Sequence, residues 1–141
     1  MSKKNINFAF KILFLLKLSI MSDYCMCHIK NYWQELVTLS SQEFMQEAYI
    51  KALSYSKEAL YRAEVLATHS KRCEELQIPF ADIYTLSCEN LAQIYQQIGE
   101  PLQAEKVLKR GILFLSYLYK QKLLRKNIFE EKMQTLSNLF C

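Results

Sequence analysis

From residue 31 onward, apolar side chains return in steps of three and four, the period of an amphipathic helix. Trp33, Leu36, Val37, Leu39 and Ser40 fall on one side of a first helix that runs to about Phe44. A second stripe follows through Met45, Ala48, Tyr49, Ala52, Tyr55, Ser56, Ala59, Leu60, Ala63, Leu66 and Ala67. No breaker stands between Met45 and Glu75, so the pattern predicts one helix of roughly 28 residues, about 42 Å long. Gln77-Ile78-Pro79 is the first break. A third helix carries Ile83, Leu91, Ile94, Tyr95 and Ile98 inward, and Gly99 ends it with a left-handed cap. Pro101 opens a fourth, where its missing N–H costs nothing. Ala104, Val107, Leu108, Gly111, Ile112, Leu115 and Leu118 form that helix's inner face. Asn127-x-x-Glu130 has the spacing of a capping box. It predicts a final helix with Phe129, Met133, Leu136 and Phe140 on one face.

Composition supports the helices. The chain has two glycines and two prolines, with 51% apolar residues and 13% aromatics. Sheets need turn residues at short intervals, and these are missing. The expected fold class is all-α, built of antiparallel helical hairpins, since very short connections force neighbouring helices to reverse direction.

Two stretches of this pattern are alike. Leu91-Ala92-x-x-Tyr95-x-x-x-Gly99, then Ala104-x-x-x-Leu108-x-x-Gly111-Ile112, resembles the tetratricopeptide (TPR) repeat. Leu39-Ser40, then Tyr49, Ala52, Ser56, Ala59 and Leu60, resembles it more weakly. That copy departs at Glu43, where an aromatic is expected, and at Glu47, where Gly is usual. Phe44 is placed to take the aromatic role. The copies lie about 52 residues apart against the usual 34, an excess of about 18 assigned to a lengthened second helix and the loop at Pro79. The Trp33-Gln34 start and the two-repeat length also resemble small uncharacterised TPR-like proteins of gamma-proteobacteria. The resemblance implies a TPR-like α-α superhelix over residues 21–141, closed by a C-terminal capping helix. Two repeats are fewer than the usual three, so the long helix, the final helix or a dimer must supply the missing core.

TPR families bind peptides or helices on the concave face made by the first helix of each repeat. The resemblance places Gln34, Val37 and Ser41 of the first copy there, with Leu86, Glu89, Gln93, Gln96 and Gln97 of the second. That face is amide-rich, and amides can hydrogen-bond an extended ligand's backbone; plain solvation of the same residues stays open. The carboxylate clamp of chaperone-type TPRs needs Lys and Asn. Glu89 and Gln93 stand in the corresponding places and only Asn90 fits, so a ligand carboxylate would be repelled.

The 18 basic and 14 acidic residues give a net charge of +4. Four of the basic residues, Lys3, Lys4, Lys11 and Lys17, lie in the first twenty positions, which hold no acid, so the remainder is balanced. A uniformly basic nucleic-acid surface is not supported. Charge is segregated instead: Lys106 to Lys126 is purely basic, whereas Glu43 to Glu105 is mostly acidic. A solvated basic face and an acidic-partner site are the two readings of that helix.

Phe8–Ile20 is apolar but interrupted by Lys11 and Lys17, and it is shorter than the about 20 residues a membrane span requires. Residues 1–20 are expected to be an apolar and basic extension, with three readings open. One is an upstream artefact of a start at Met21, or a loosely docked helix. The others are a surface-lying amphipathic anchor and a signal segment, although no small-x-small site follows. This is the one segment with any character of a membrane contact.

The five cysteines, Cys25, Cys27, Cys73, Cys88 and Cys141, are odd in number and irregularly spaced. That argues for reduced thiols and a cytoplasmic location rather than a disulfide framework. Cys25-Met26-Cys27-His28 lacks a second ligand pair for zinc. Two glycines cannot build a phosphate loop or a dinucleotide fingerprint. No cofactor, metal or catalytic residue is expected. The expected function is non-catalytic: an adaptor or chaperone for one protein partner. The rivals are a nucleic-acid-associated regulator using Lys106 to Lys126, and a structural homodimer pairing exposed Tyr and Leu of the last two helices.

Overall fold

The computed structural model describes residues 21–140; the expectations for residues 1–20 lie outside them. The described residues form six helices: α1 Asp23–Met45, α2 Tyr49–Thr68, α3 Ser70–Glu75, α4 Phe80–Gln97, α5 Pro101–Lys120 and α6 Lys126–Ser137. No strand occurs among them, and the all-α class stands.

The helices pack in chain order, α1 on α2, α2 on α4, α4 on α5 and α5 on α6, and α6 also returns to α4. One core runs through all the layers, from Met26, Leu36 and Leu66 to Tyr84, Leu115 and Leu136. Leu91, Tyr95 and Ala104 are buried together in it. At Gly111 the layers come close: a Cβ there would lie 2.9 Å from Leu136 Cδ1 and 3.1 Å from Cys88 Sγ. The final helix therefore closes the core left open by α4 and α5.

Four helix exits share one device. Glu47, Gln77, Gly99 and Lys122 all adopt positive φ, between 57° and 78°. Each is followed by a residue whose N–H reaches back five positions: Ala48 to Glu43, Ile78 to Cys73, Glu100 to Tyr95 and Leu123 to Leu118, at 2.8–2.9 Å. These are Schellman caps, which satisfy carbonyls that the helix end leaves open. Glu47 thus performs the left-handed turn for which glycine was expected.

Several expectations are corrected. The first helix starts at Asp23, upstream of the stripe that begins at Trp33, and Ser22 Oγ caps it by accepting from Cys25 N at 3.2 Å. Met45 closes α1 and is 84% exposed, so it is not part of the second stripe. Leu39 points outward while Leu36 and Ser40 are buried. Ser40 Oγ donates to Ala52 O at 2.9 Å, locking α1 onto α2. The run from Tyr49 to Glu75 is helical but broken at His69. There Thr68 Oγ1 donates to Val65 O at 2.7 Å and His69 Nδ1 lies 3.0 Å from the same carbonyl. The His69 N–H turns to Leu66 O instead. Side chains have captured the carbonyl that would have continued the helix. The Asn127 capping box does not form: α6 begins at Lys126, with Arg125 as an N-cap lacking a side-chain bond. Phe140 lies beyond the end of α6 and is 36% exposed.

Candidate functional site: the groove between α1 and α4

Trp33 ties the two helices that border the groove. Its indole N–H donates to Ser87 Oγ at 2.8 Å, and that hydroxyl donates to Ile83 O at 2.8 Å. Both side chains are buried, so the indole proton is satisfied without water. Ser87 was not recognised as a functional position in the sequence. The signal was there: a small polar residue on the apolar stripe, one turn beyond Ile83.

Toward the C-terminal ends of α1 and α4 the two helices leave a groove of ≈ 180 Å³. Ser41 and Phe44 line it from α1, and Asn90, Gln93 and Ile94 from α4. Ser41 and Gln93, placed on one face by sequence, are thus brought together. Phe44 meets Tyr49 edge-on, ring centroids 5.3 Å apart. The groove is smaller than the about 300 Å³ at which small-molecule pockets begin. It has the size for one or two side chains and offers amide and hydroxyl groups at its rim.

The other expected positions are spread around it. Gln97 Nε2 donates to Tyr49 Oη at 3.4 Å, on the α2 side. Gln96 Nε2 donates to Leu139 O at 3.4 Å, toward the chain's end. Glu89 is half-buried; burial pushes its carboxyl above the ordinary range, and Lys132 on α6 draws it part of the way back. Leu86 is 40% exposed. Val37 is half-buried and packs against the core. Gln34 lies off the groove, in a shallow depression of α1 with Asn31, Glu35, Thr38, Leu39 and Gln42.

Lys132 was not singled out by sequence. It forms ion pairs with Asp82 on α4 and Glu131. Burial pushes its ammonium down, and the two carboxylates more than offset this, leaving the pKa raised. It fastens α6 beside α4.

Cys25 and Cys27 are exposed in the opening turns of α1, and the Tyr24 and His28 rings stack 6.2 Å apart. No group of three or more His, Cys, Asp or Glu with metal-site geometry occurs among the described residues. No helix among them is long and apolar enough to cross a membrane.

Fold and groove together define an all-helical protein of stacked antiparallel layers with one amide-rimmed groove between α1 and α4. Residues 31–139 match the family described as "Protein of unknown function (DUF2753)", and the chain belongs to that family. Neither a curated protein nor a solved structure matches it.

Proposed function

We propose that this protein is a non-catalytic, TPR-like interaction module, an adaptor or chaperone that holds a segment of one protein partner against α1 and α4. One observation carries the reading: the groove joins an apolar base, Phe44 and Ile94, to hydrogen-bonding groups on Ser41, Asn90 and Gln93. An extended segment needs that combination, amide partners for its backbone and a recess for one anchoring side chain. Gln97 extends the row, since its bond to Tyr49 at 3.4 Å is long and exposed and readily exchanged for a ligand. A nucleic-acid role through Lys106 to Lys126 has less support. Lys109 pairs with Glu105 at 2.8 Å and Arg110 with Glu64, which removes cations from that surface.

The test is site-specific photo-cross-linking in the native cell, with the photo-reactive amino acid placed at position 41. One dominant adduct is expected, and Gln93→Glu combined with Gln97→Glu should abolish it. An adduct of unchanged yield in that double variant removes the groove from the proposal.

A further inference from the structure

A second concavity lies between α2 and α5, a cleft of ≈ 400 Å³. Its base is apolar: Leu60 and Leu91 are 4% exposed and Tyr95 is 8% exposed. Its walls carry Lys57, Lys106 and Arg110, with Tyr61 at the mouth. The Lys57 ammonium stands 5.9 Å from the centre of the Tyr95 ring. Neither Lys57 nor Lys106 has an ion pair among the described residues. The one carboxylate in the cleft, Glu64, is taken up by Arg110. A single carboxylate already paired with Arg110 leaves Lys57 and Lys106 without a counter-ion in the cleft.

The α5 surface continues this chemistry. Lys106, Arg110, Leu113 and Tyr117 follow one another at steps of four, three and four, one row along the helix. Leu113 is 71% exposed and Tyr117 56%. The row therefore reads as two cations inside the cleft followed by two apolar side chains outside it. A solvated face does not require large apolar residues there, and a phosphate backbone would find no use for them.

We infer that the α2–α5 cleft, together with the α5 row leading out of it, is a second docking site, for an acidic amphipathic segment of a partner protein. The segment's carboxylates meet Lys57 and Lys106, and its apolar residues cover Leu113 and Tyr117. Charge complementarity selects it: the cleft holds three cations to one carboxylate, and charged pairs at a docking surface set orientation and approach rate. This goes beyond the groove reading. Leu91 and Tyr95 form the base of this cleft while Gln93 lies on another side of α4, so either site can fail without the other.

The probe is a labelled synthetic helical peptide with Glu at i and i+4 and Leu at i+7 and i+11. Its controls are a scrambled peptide of the same composition and a short DNA duplex, all read by fluorescence anisotropy. The designed peptide is expected to bind and the scrambled one to bind about tenfold more weakly or worse. Lys57→Glu with Lys106→Glu should weaken the designed peptide at least about tenfold, and Leu113→Ser several-fold. Glu64→Gln should tighten it, because the internal competitor for Arg110 is gone. Lys51→Glu, an exposed charge reversal away from the cleft, should leave it unchanged. Thermal melts establish that each variant is folded. Equal binding of the scrambled peptide, displacement by the duplex at equal concentration, or insensitivity to the paired lysine reversals overturns the inference.

Discussion

Glu47, Gln77 and Lys122 sit in the left-handed region, where an L side chain costs about 1–2 kcal/mol. Glycine removes that penalty but adds unfolded-state entropy, so each of Glu47→Gly, Gln77→Gly and Lys122→Gly should stabilise by about 0.5–1 kcal/mol. Urea unfolding of the three single variants and the triple variant tests this. Loss of stability in all three would mean that those side chains make contacts outweighing the strain. Sequence could not have placed these turns alone, because only Gly99 announces its conformation. The others follow from bonds between positions five apart. Cysteine behaviour is more directly readable. Cys73 and Cys88 are buried, and burial pushes both thiols up to about 12, far from thiolate at neutral pH. Iodoacetamide with site-resolved mass spectrometry should alkylate Cys25 and Cys27 in the native protein, and Cys73 and Cys88 only after unfolding. Native labelling of Cys88 at the rate of Cys25 would contradict the packing around Gly111.

Among the elements, α1, α2, α4 and α5 follow from periodicity because their stripes are long and meet a continuous core. The breaks follow from bonds that a period does not contain. At His69 the deciding event is competition for the Val65 carbonyl, and no apolar spacing reports that. The candidate groove was half legible: Ser41 and Gln93 were placed on one face, but Phe44, Asn90 and Ile94 complete it only once α1 and α4 are docked through Trp33 and Ser87. The same docking makes Ser87 sensitive. Ser87→Ala leaves a buried indole N–H without its acceptor and should destabilise by about 1–3 kcal/mol, measurable by urea unfolding followed through the single Trp. Helix α6 is held through few buried side chains, with Leu136 its one buried residue. Leu136→Ala should cost about 2–5 kcal/mol if α6 stays docked. Hydrogen exchange distinguishes the outcomes: selective loss of protection over 126–137, with α4 and α5 intact, means that α6 undocks as a unit.

Across the whole molecule, charge separation and burial set how stability responds to pH. Most ion pairs are exposed, Lys109–Glu105 and Arg72–Glu75 among them, and such pairs contribute about 0–1 kcal/mol. The carboxyls of Glu64 and Glu89 add a pH dependence of their own, because burial raises both above the ordinary value of 4.5 in spite of Arg110 and Lys132 nearby. A carboxyl whose folded pKa exceeds its unfolded one binds its proton more readily in the native state. Its stabilising contribution is therefore complete below about 4.5 and is lost as pH rises through the folded value. The contribution of these two groups to the urea midpoint should fall as pH rises from about 4.5 toward neutrality, the reverse of carboxylates held by strong salt bridges. Glu64→Gln with Glu89→Gln should remove that contribution. The double variant should also unfold at pH 7 at a midpoint no lower than that of the native chain, because a neutral amide replaces a desolvated charge at each site. A midpoint that follows the same course from pH 7 to pH 5 in the native chain and in the double variant would place the dominant carboxylates elsewhere.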